Sequence, residues 1–200
     1  MYYTISKEEV SSIMNMPGEV SGTLLKKDEN FIIKQGGKRK VYEVEENMSD
    51  FGYSFSYSKI NEKAFYPWGN RILSIMAIAN VFSMEKEKIK DMGKMSANNS
   101  FSKKIINRYF KSTKDVLSNI CRNWRKGNTI GRMELKEISK KEKRAVIALY
   151  NLNFHPIFCD YFCGYLAGTV EISEGSLATC KEERCYFNGN CDFHEFVIKW

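Results

Sequence analysis

Three cysteines, two glutamates and a histidine crowd the end of the chain, in CKEERC at 180–185 and CDFH at 191–194. Thiolate, imidazole and carboxylate are the donors from which proteins build tetrahedral metal sites. Upstream, Cys159 and Cys163 stand four apart in an apolar stretch, so on a helix both look the same way. The candidate donors are therefore Cys159, Cys163, Cys180, Glu182, Glu183, Cys185, Cys191 and His194.

Six cysteines in 200 residues would suit a disulfide framework only in a small secreted chain. The N-terminus MYYTISKEEVSSIM has no basic stretch leading into an apolar one. In a reducing compartment, clustered cysteines bind metal more often than they pair. Asn188-Gly189 is a strong hairpin signal that folds Cys185 and Cys191 towards each other. On a strand, Cys180 and Glu182 share a face and Glu183 points away. Geometry alone leaves two choices on the strand and two on the helix. Free buried thiols and a Cys185–Cys191 disulfide are the competing readings.

The elements that must carry these donors are legible in part. Ser6-x-x-Glu9 is a capping-box pattern that opens a short helix ended by Pro17-Gly18. GTLLKKDENFIIKQGGKRK reads as a hairpin turning at Asp28 to Asn30, and Val41, Val44, Met48 and Phe51 as an amphipathic helix closed by Gly52. FGYSFSYSKI alternates aromatic and serine, the pattern of a half-buried strand. Pro67 begins a central helix through WGNRILSIMAIANVF, and EKEKIKDMGKM and Ser100 to Phe110 read as two more. Ser112-x-x-Asp115 starts another, with Val116, Leu117, Ile120, Cys121 and Trp124 on one face. IGRMELKEI and RAVIALYNL form a hairpin around Lys140, Lys141 and Lys143, and PIFCDYFCGYLAGTVEI follows as an apolar helix. Gly164 and Gly168, four apart, serve the close approach of another backbone. SLATCKEERC and CDFHEFVIKW close the chain as two strands. The fold class expected is α+β, a helical middle packed on an antiparallel sheet.

GYLAG at 164–168, E-x-x-C at Glu182 to Cys185 and a cysteine after a short glycine-containing turn at Cys191 together resemble the 4-vinyl reductase domain. That domain also forms the sensory part of phenol-responsive activators. The resemblance covers about the last 45 residues specifically and is looser upstream. It implies a fold shared with Golgi transport-particle subunits and haem-nitric-oxide sensors, commonly dimeric, with a hydrophobic chamber. It also implies a structural zinc ion held by Cys159, Glu182, Cys185 and Cys191, with Cys180 in place of Glu182 as an alternative set. The last loop is shorter here than in the phenol sensors, and their phenol-binding histidine and tryptophan do not recur.

On this reading residues 1–60 are a helix/hairpin/helix extension and 61–200 the ligand-binding domain. Trp124, Tyr109, Phe158 and Tyr161 are the residues expected to meet a hydrophobic or aromatic small molecule. A homodimer and a signalling partner protein complete the expected partners. The alternatives are a scaffold of the transport-particle type and, further off, an enzyme on a tetrapyrrole-like substrate.

Composition narrows the classes. The net charge of +7 and pI near 9.0 come from short basic groups interleaved with acids, without a helix-turn-helix, RNP or zinc-finger pattern, so nucleic acid is not expected. The most apolar run, Ile72 to Phe82, is too short to cross a bilayer. A cytoplasmic protein is expected. There is no Ser/His/Asp order, phosphate-cradling loop or dinucleotide fingerprint, which argues against catalysis. His155, before Pro156, reads as a residue at a helix start bonded to backbone, and His194 as a neighbour of the metal.

Overall fold

The computed structural model describes residues 3–100, 109–153, 155–189 and 191–200. The chain opens with α1 (Lys7–Met14), whose Ser6 hydroxyl accepts from the Glu9 amide while the Glu9 carboxylate accepts from the Ser6 amide. There follow β1 (Glu19–Ser21), α2 (Gly22–Asp50), β2 (Phe65–Pro67), α3 (Trp68–Val81), α4 (Lys86–Ser100) and α5 (Thr113–Gly127). The C-terminal part contributes β3 (Arg132–Ser139), β4 (Arg144–Tyr150), α6 (Pro156–Glu174), β5 (Thr179–Arg184) and β6 (Phe193–Lys199). The α+β class is as expected. Strands β3–β6 form one antiparallel sheet in the order β3-β4-β6-β5, and β1 pairs with β2 in a small second sheet. No helix among the described residues is long and apolar enough to cross a membrane.

Two expectations fail in the N-terminal third. The segment read as a hairpin is helical: α2 runs from Gly22 to Asp50 and bends at Gly37, where φ is 75° and ψ −178°. Leu25, Asp28, Phe31 and Ile32 are all buried along it, which is a helical period. The signal is hidden because one of these positions is an aspartate, which reads as a turn residue until its partner is known. The serine–aromatic alternation of 51–60 does not make a strand either. It forms a turn and a short 3₁₀ helix at Tyr57–Lys59. The fully buried Tyr57 shares a hydrogen bond with the Ser74 hydroxyl on α3, and Phe55 meets its ring edge-on at 4.8 Å. The helix expected over Ser100 to Phe110 lies largely outside the described residues.

Three helices and the sheet make the frame of the functional region. Helix α3 is buried on every side from Trp68 to Asn80, so it is the centre about which α1, α2 and α6 pack. Helices α4 and α6 cross with almost no side chain between them. A Cβ at Gly93 would lie 2.0 Å from the Tyr161 carbonyl, and one at Gly164 would lie 1.8 Å from the Lys90 carbonyl. Gly168 sits against the Lys94 backbone in the same way. Only glycine allows backbones so near, and this is the close approach that Gly164 and Gly168 imply in sequence. The other face of α6 lies on the sheet, where Phe162 meets Phe196 of β6 edge-on at 5.1 Å.

Candidate functional site

Helix α6 starts at His155, whose Nδ1 accepts from the Ile157 amide, with Pro156 in the first turn. This fixes the direction of the first turn and brings Cys159, 7% exposed, over the end of the terminal hairpin. On β5, Cys180 stands opposite Ile198 and Glu182 opposite Phe196. Both therefore share the face turned to α6, as the strand pattern implies. A bulge between Glu182 and Arg184 shifts the register and delivers Cys185 to the same end.

One ligand atom from each of Cys159, Glu182, Cys185 and His194 lies within 4.8 Å of every other. The Cys159 Sγ is 3.7 Å from His194 Nδ1, and Glu182 Oε1 is 2.6 Å from the same nitrogen. The other ring nitrogen, Nε2, is 2.8 Å from the Leu152 carbonyl. A carbonyl only accepts, so Nε2 carries a proton and a neutral ring presents its lone pair at Nδ1. Nδ1 and Oε1 are then two acceptors at hydrogen-bond distance, and a proton or a cation has to lie between them. Burial, with the carboxylate of Glu182 and the sulfur of Cys185 beside it, raises the Cys159 thiol far above its ordinary range; burial also raises Cys185.

The two remaining cysteines of this region are arranged differently. Cys163, one turn along α6, meets Cys180, and this contact, followed by burial, pushes the Cys180 thiol well up. Cys180 is thereby drawn to Cys163. Cys191 donates from its thiol to the Phe193 carbonyl at 3.1 Å and is not among the clustered donors. The structure thus brings Cys159, Glu182 and Cys185 together and adds His194 where the resemblance implied Cys191. His194 was legible as a metal neighbour. Its membership in the cluster depends on β6 placing it two residues before Phe196, on the face turned to α6, which the sequence fixes only through the register of the hairpin.

A second feature lies on the opposite flank of α6. A cavity of about 160 Å³ opens between α2, α5 and α6, walled by Trp124, Phe158, Tyr161 and Phe162 and by polar groups of Lys27, Arg71 and Asn128, among others. Three of the four residues expected to meet a ligand, Trp124, Phe158 and Tyr161, line it. Tyr109 does not, and is 67% exposed. Trp124 stands edge-on to Phe162 at 5.8 Å, and its indole N–H donates to the Ile130 carbonyl. Arg71 crosses the floor: its Nε donates to Asp28 at 3.2 Å and its Nη2 to the Tyr161 hydroxyl at 2.7 Å, with the guanidinium 4.9 Å from the Tyr161 ring. Burial raises the Asp28 carboxyl, while Arg71 opposes that rise; Arg71 itself stays charged. No sequence signal marked Asp28 or Arg71, since a buried ion pair is visible only once its two helices meet.

No family model matches the chain, and no curated protein matches it. Solved structures do. An H-NOX protein from S. oneidensis in the Fe(II)NO ligation state superposes with a TM-score of 0.64 at 12% identity, covering 90% of this chain and 98% of that one. The Fe(II) unliganded H-NOX protein from K. algicida gives 0.62 at 14%, with 90% and 95% covered. A Cs H-NOX mutant gives 0.61 at 15%, with the same coverage. The chain therefore has the H-NOX fold, in line with the haem-nitric-oxide-sensor part of the resemblance.

The expectation of zinc is corrected by these findings. The structures that share the fold are described as Fe(II) proteins, and the three-cysteine donor set that implied zinc is not the one assembled. Haem, which the fold family implies, does not fit the described residues. Cofactor pockets run to roughly 300–1,000 Å³, well above the 160 Å³ of this cavity, and the wider spaces of about 500 and 430 Å³ are lined by no histidine or cysteine among the described residues. The chain has two histidines; His155 caps α6 and His194 is engaged at both nitrogens, and neither lines this cavity.

Proposed function

We propose that this chain is a small-molecule-binding sensory domain on an H-NOX-type fold, and that a hydrophobic or aromatic compound occupies the cavity beside α6. The observation that carries this reading is the cavity itself, walled by Trp124, Phe158 and Phe162. The fold likeness supports it, since its neighbours are described in gas-ligation states. Occupancy would be passed on by a partner protein or a second copy.

The cluster of Cys159, Glu182, Cys185 and His194 is the second part of the proposal: a metal-ion site tying the terminal hairpin to the start of α6. Its support is the pair of acceptors at His194 Nδ1 and Glu182 Oε1, flanked by two thiols. Native mass spectrometry of the purified protein tests both parts. A mass above that of the chain, removed by organic extraction, is expected for the ligand; a protein carrying neither a compound nor an ion, and taking up neither on incubation, would overturn the reading.

A further inference from the structure

The cavity beside α6 contains a charged group whose hydrogen-bonding capacity is only partly used. Arg71 is 4% exposed and lines the space. Its Nε donates to Asp28 and its Nη2 to the Tyr161 hydroxyl, so the guanidinium is held from two sides. Nη1 carries two further N–H groups and has no hydrogen-bond partner among the described residues. It is not one of the polar atoms shut in on every side, and in a residue so deeply buried the space left for it to border is the cavity.

A buried donor without an acceptor is costly, and more so when it is charged. Asp28 already supplies the counter-charge to Arg71, so what Nη1 lacks is an acceptor rather than an anion. Lys27, the other cation in the wall, has a partner of its own. Other donors around the space are taken as well: the Trp124 indole N–H by the Ile130 carbonyl, the Asn123 amide by Asn119, and Asn128 Nδ2 by the Trp124 carbonyl. Much of the remaining wall is aromatic, with Phe158 and Phe162 stacked at 5.6 Å and Trp124 edge-on to Phe162. A cavity of about 150 Å³ holds benzene, and this one is about 160 Å³, which admits one ring.

We infer that the cavity takes a neutral single-ring aromatic carbonyl compound, its ring among Trp124, Phe158 and Phe162 and its carbonyl oxygen accepting from Arg71 Nη1. This rests on the reading of the cavity as a ligand site. Binding is a simple association; no bond is made or broken.

The test is calorimetric titration of the full chain with acetophenone, with α-methylstyrene, in which a methylene group replaces the carbonyl oxygen, and with benzoate. The double variant Asp28→Leu with Arg71→Met, which loses the guanidinium without leaving a lone buried charge, is titrated in parallel. The ratio of acetophenone to α-methylstyrene affinity is expected to fall at least about tenfold in the double variant, the scale of a hydrogen bond to a charged group, while α-methylstyrene binding persists. In the native protein the infrared carbonyl stretch of bound, isotope-labelled acetophenone should lie at or below its frequency in water, a readout that needs no variant. If the double variant binds neither compound, that frequency alone decides. An unchanged ratio, or a stretch at the frequency found in hexane, overturns the carbonyl assignment and leaves the cavity reading standing. Benzoate bound more tightly than acetophenone overturns the neutral class in the same way. Failure of all three compounds to bind the native protein overturns both.

Discussion

His194 Nδ1 and Glu182 Oε1 face each other at 2.6 Å while the far side of the same imidazole is committed to the Leu152 carbonyl. This contact joins neighbouring strands of the terminal hairpin, and Cys159 completes it from the helix laid over them. A cation held there would bind three separated pieces of chain.

Substitution should therefore separate the donors that gather from the one that does not. Cys159→Ser and His194→Ala are expected to lose bound metal in elemental analysis of the purified protein. Cys191→Ser should retain it, because its thiol is turned to the Phe193 carbonyl. Loss in Cys191→Ser with retention in His194→Ala would assign the site to the other donor set.

The crossing of α4 over α6 should be intolerant of a single methyl group. Gly164→Ala places a carbon 1.8 Å from the Lys90 carbonyl, and backbone cannot yield as a side chain does. A loss of about 3 kcal/mol, at the upper end for overpacking, is expected in urea unfolding. Gly168→Ala, whose added carbon would lie 2.9 Å from Lys94 Cα, should cost less. Equal and small effects would mean that the helices stand further apart.

The Asp28–Arg71 pair should be costly to halve and cheap to remove. Arg71→Met takes the hydrogen-bonded guanidinium from the buried Asp28 carboxylate, and breaking a buried pair costs about 3–5 kcal/mol. The double change Asp28→Leu with Arg71→Met should recover most of that, since both charges are then gone. Denaturation midpoints of the two single variants and the double variant form the cycle that measures it. A double variant as unstable as the worse single one would show that the pair stabilises beyond neutralising itself.

His155 makes the start of α6 sensitive to acid. Burial lowers its pKa, and its Nδ1 must stay unprotonated to accept from Ile157. The unfolded chain therefore binds the proton more readily than the folded one. The stabilisation is complete above about pH 6.5, the unperturbed value, and is lost as pH falls through the lowered folded value. Melting temperatures between pH 7.5 and 5 should fall. In His155→Asn, which keeps a cap without a titrating ring, the fall should be shallower; identical profiles would exclude His155 as its source.

How far the sequence could be read differed between the two ends of the chain. From Ser112 onward, although IGRMELKEI alternates only imperfectly, the cap at Ser112, the β3–β4 turn, the Pro156 helix and the glycine pair of α6 all stand where the pattern puts them, because each depends on local chemistry. In α2 a buried Asp28 broke the apolar period, and its reason lay in Arg71, 43 positions away. The candidate metal cluster shows the same limit. The resemblance names Cys159, Glu182 and Cys185 where spacing alone leaves Cys163 and Cys180 open, and the choice between Cys191 and His194 is made by a strand register.

The bend at Gly37 divides α2 into two arms. Lys27 and Asp28 ride on the first, while Val41, Val44 and Met48 anchor the second in the core, and a Cβ at the bend would touch nothing within 4 Å. Leu25, Phe31 and Ile32 seat the first arm as firmly, so one continuous stretch of chain grips the core twice, in two directions, with a single glycine as the corner.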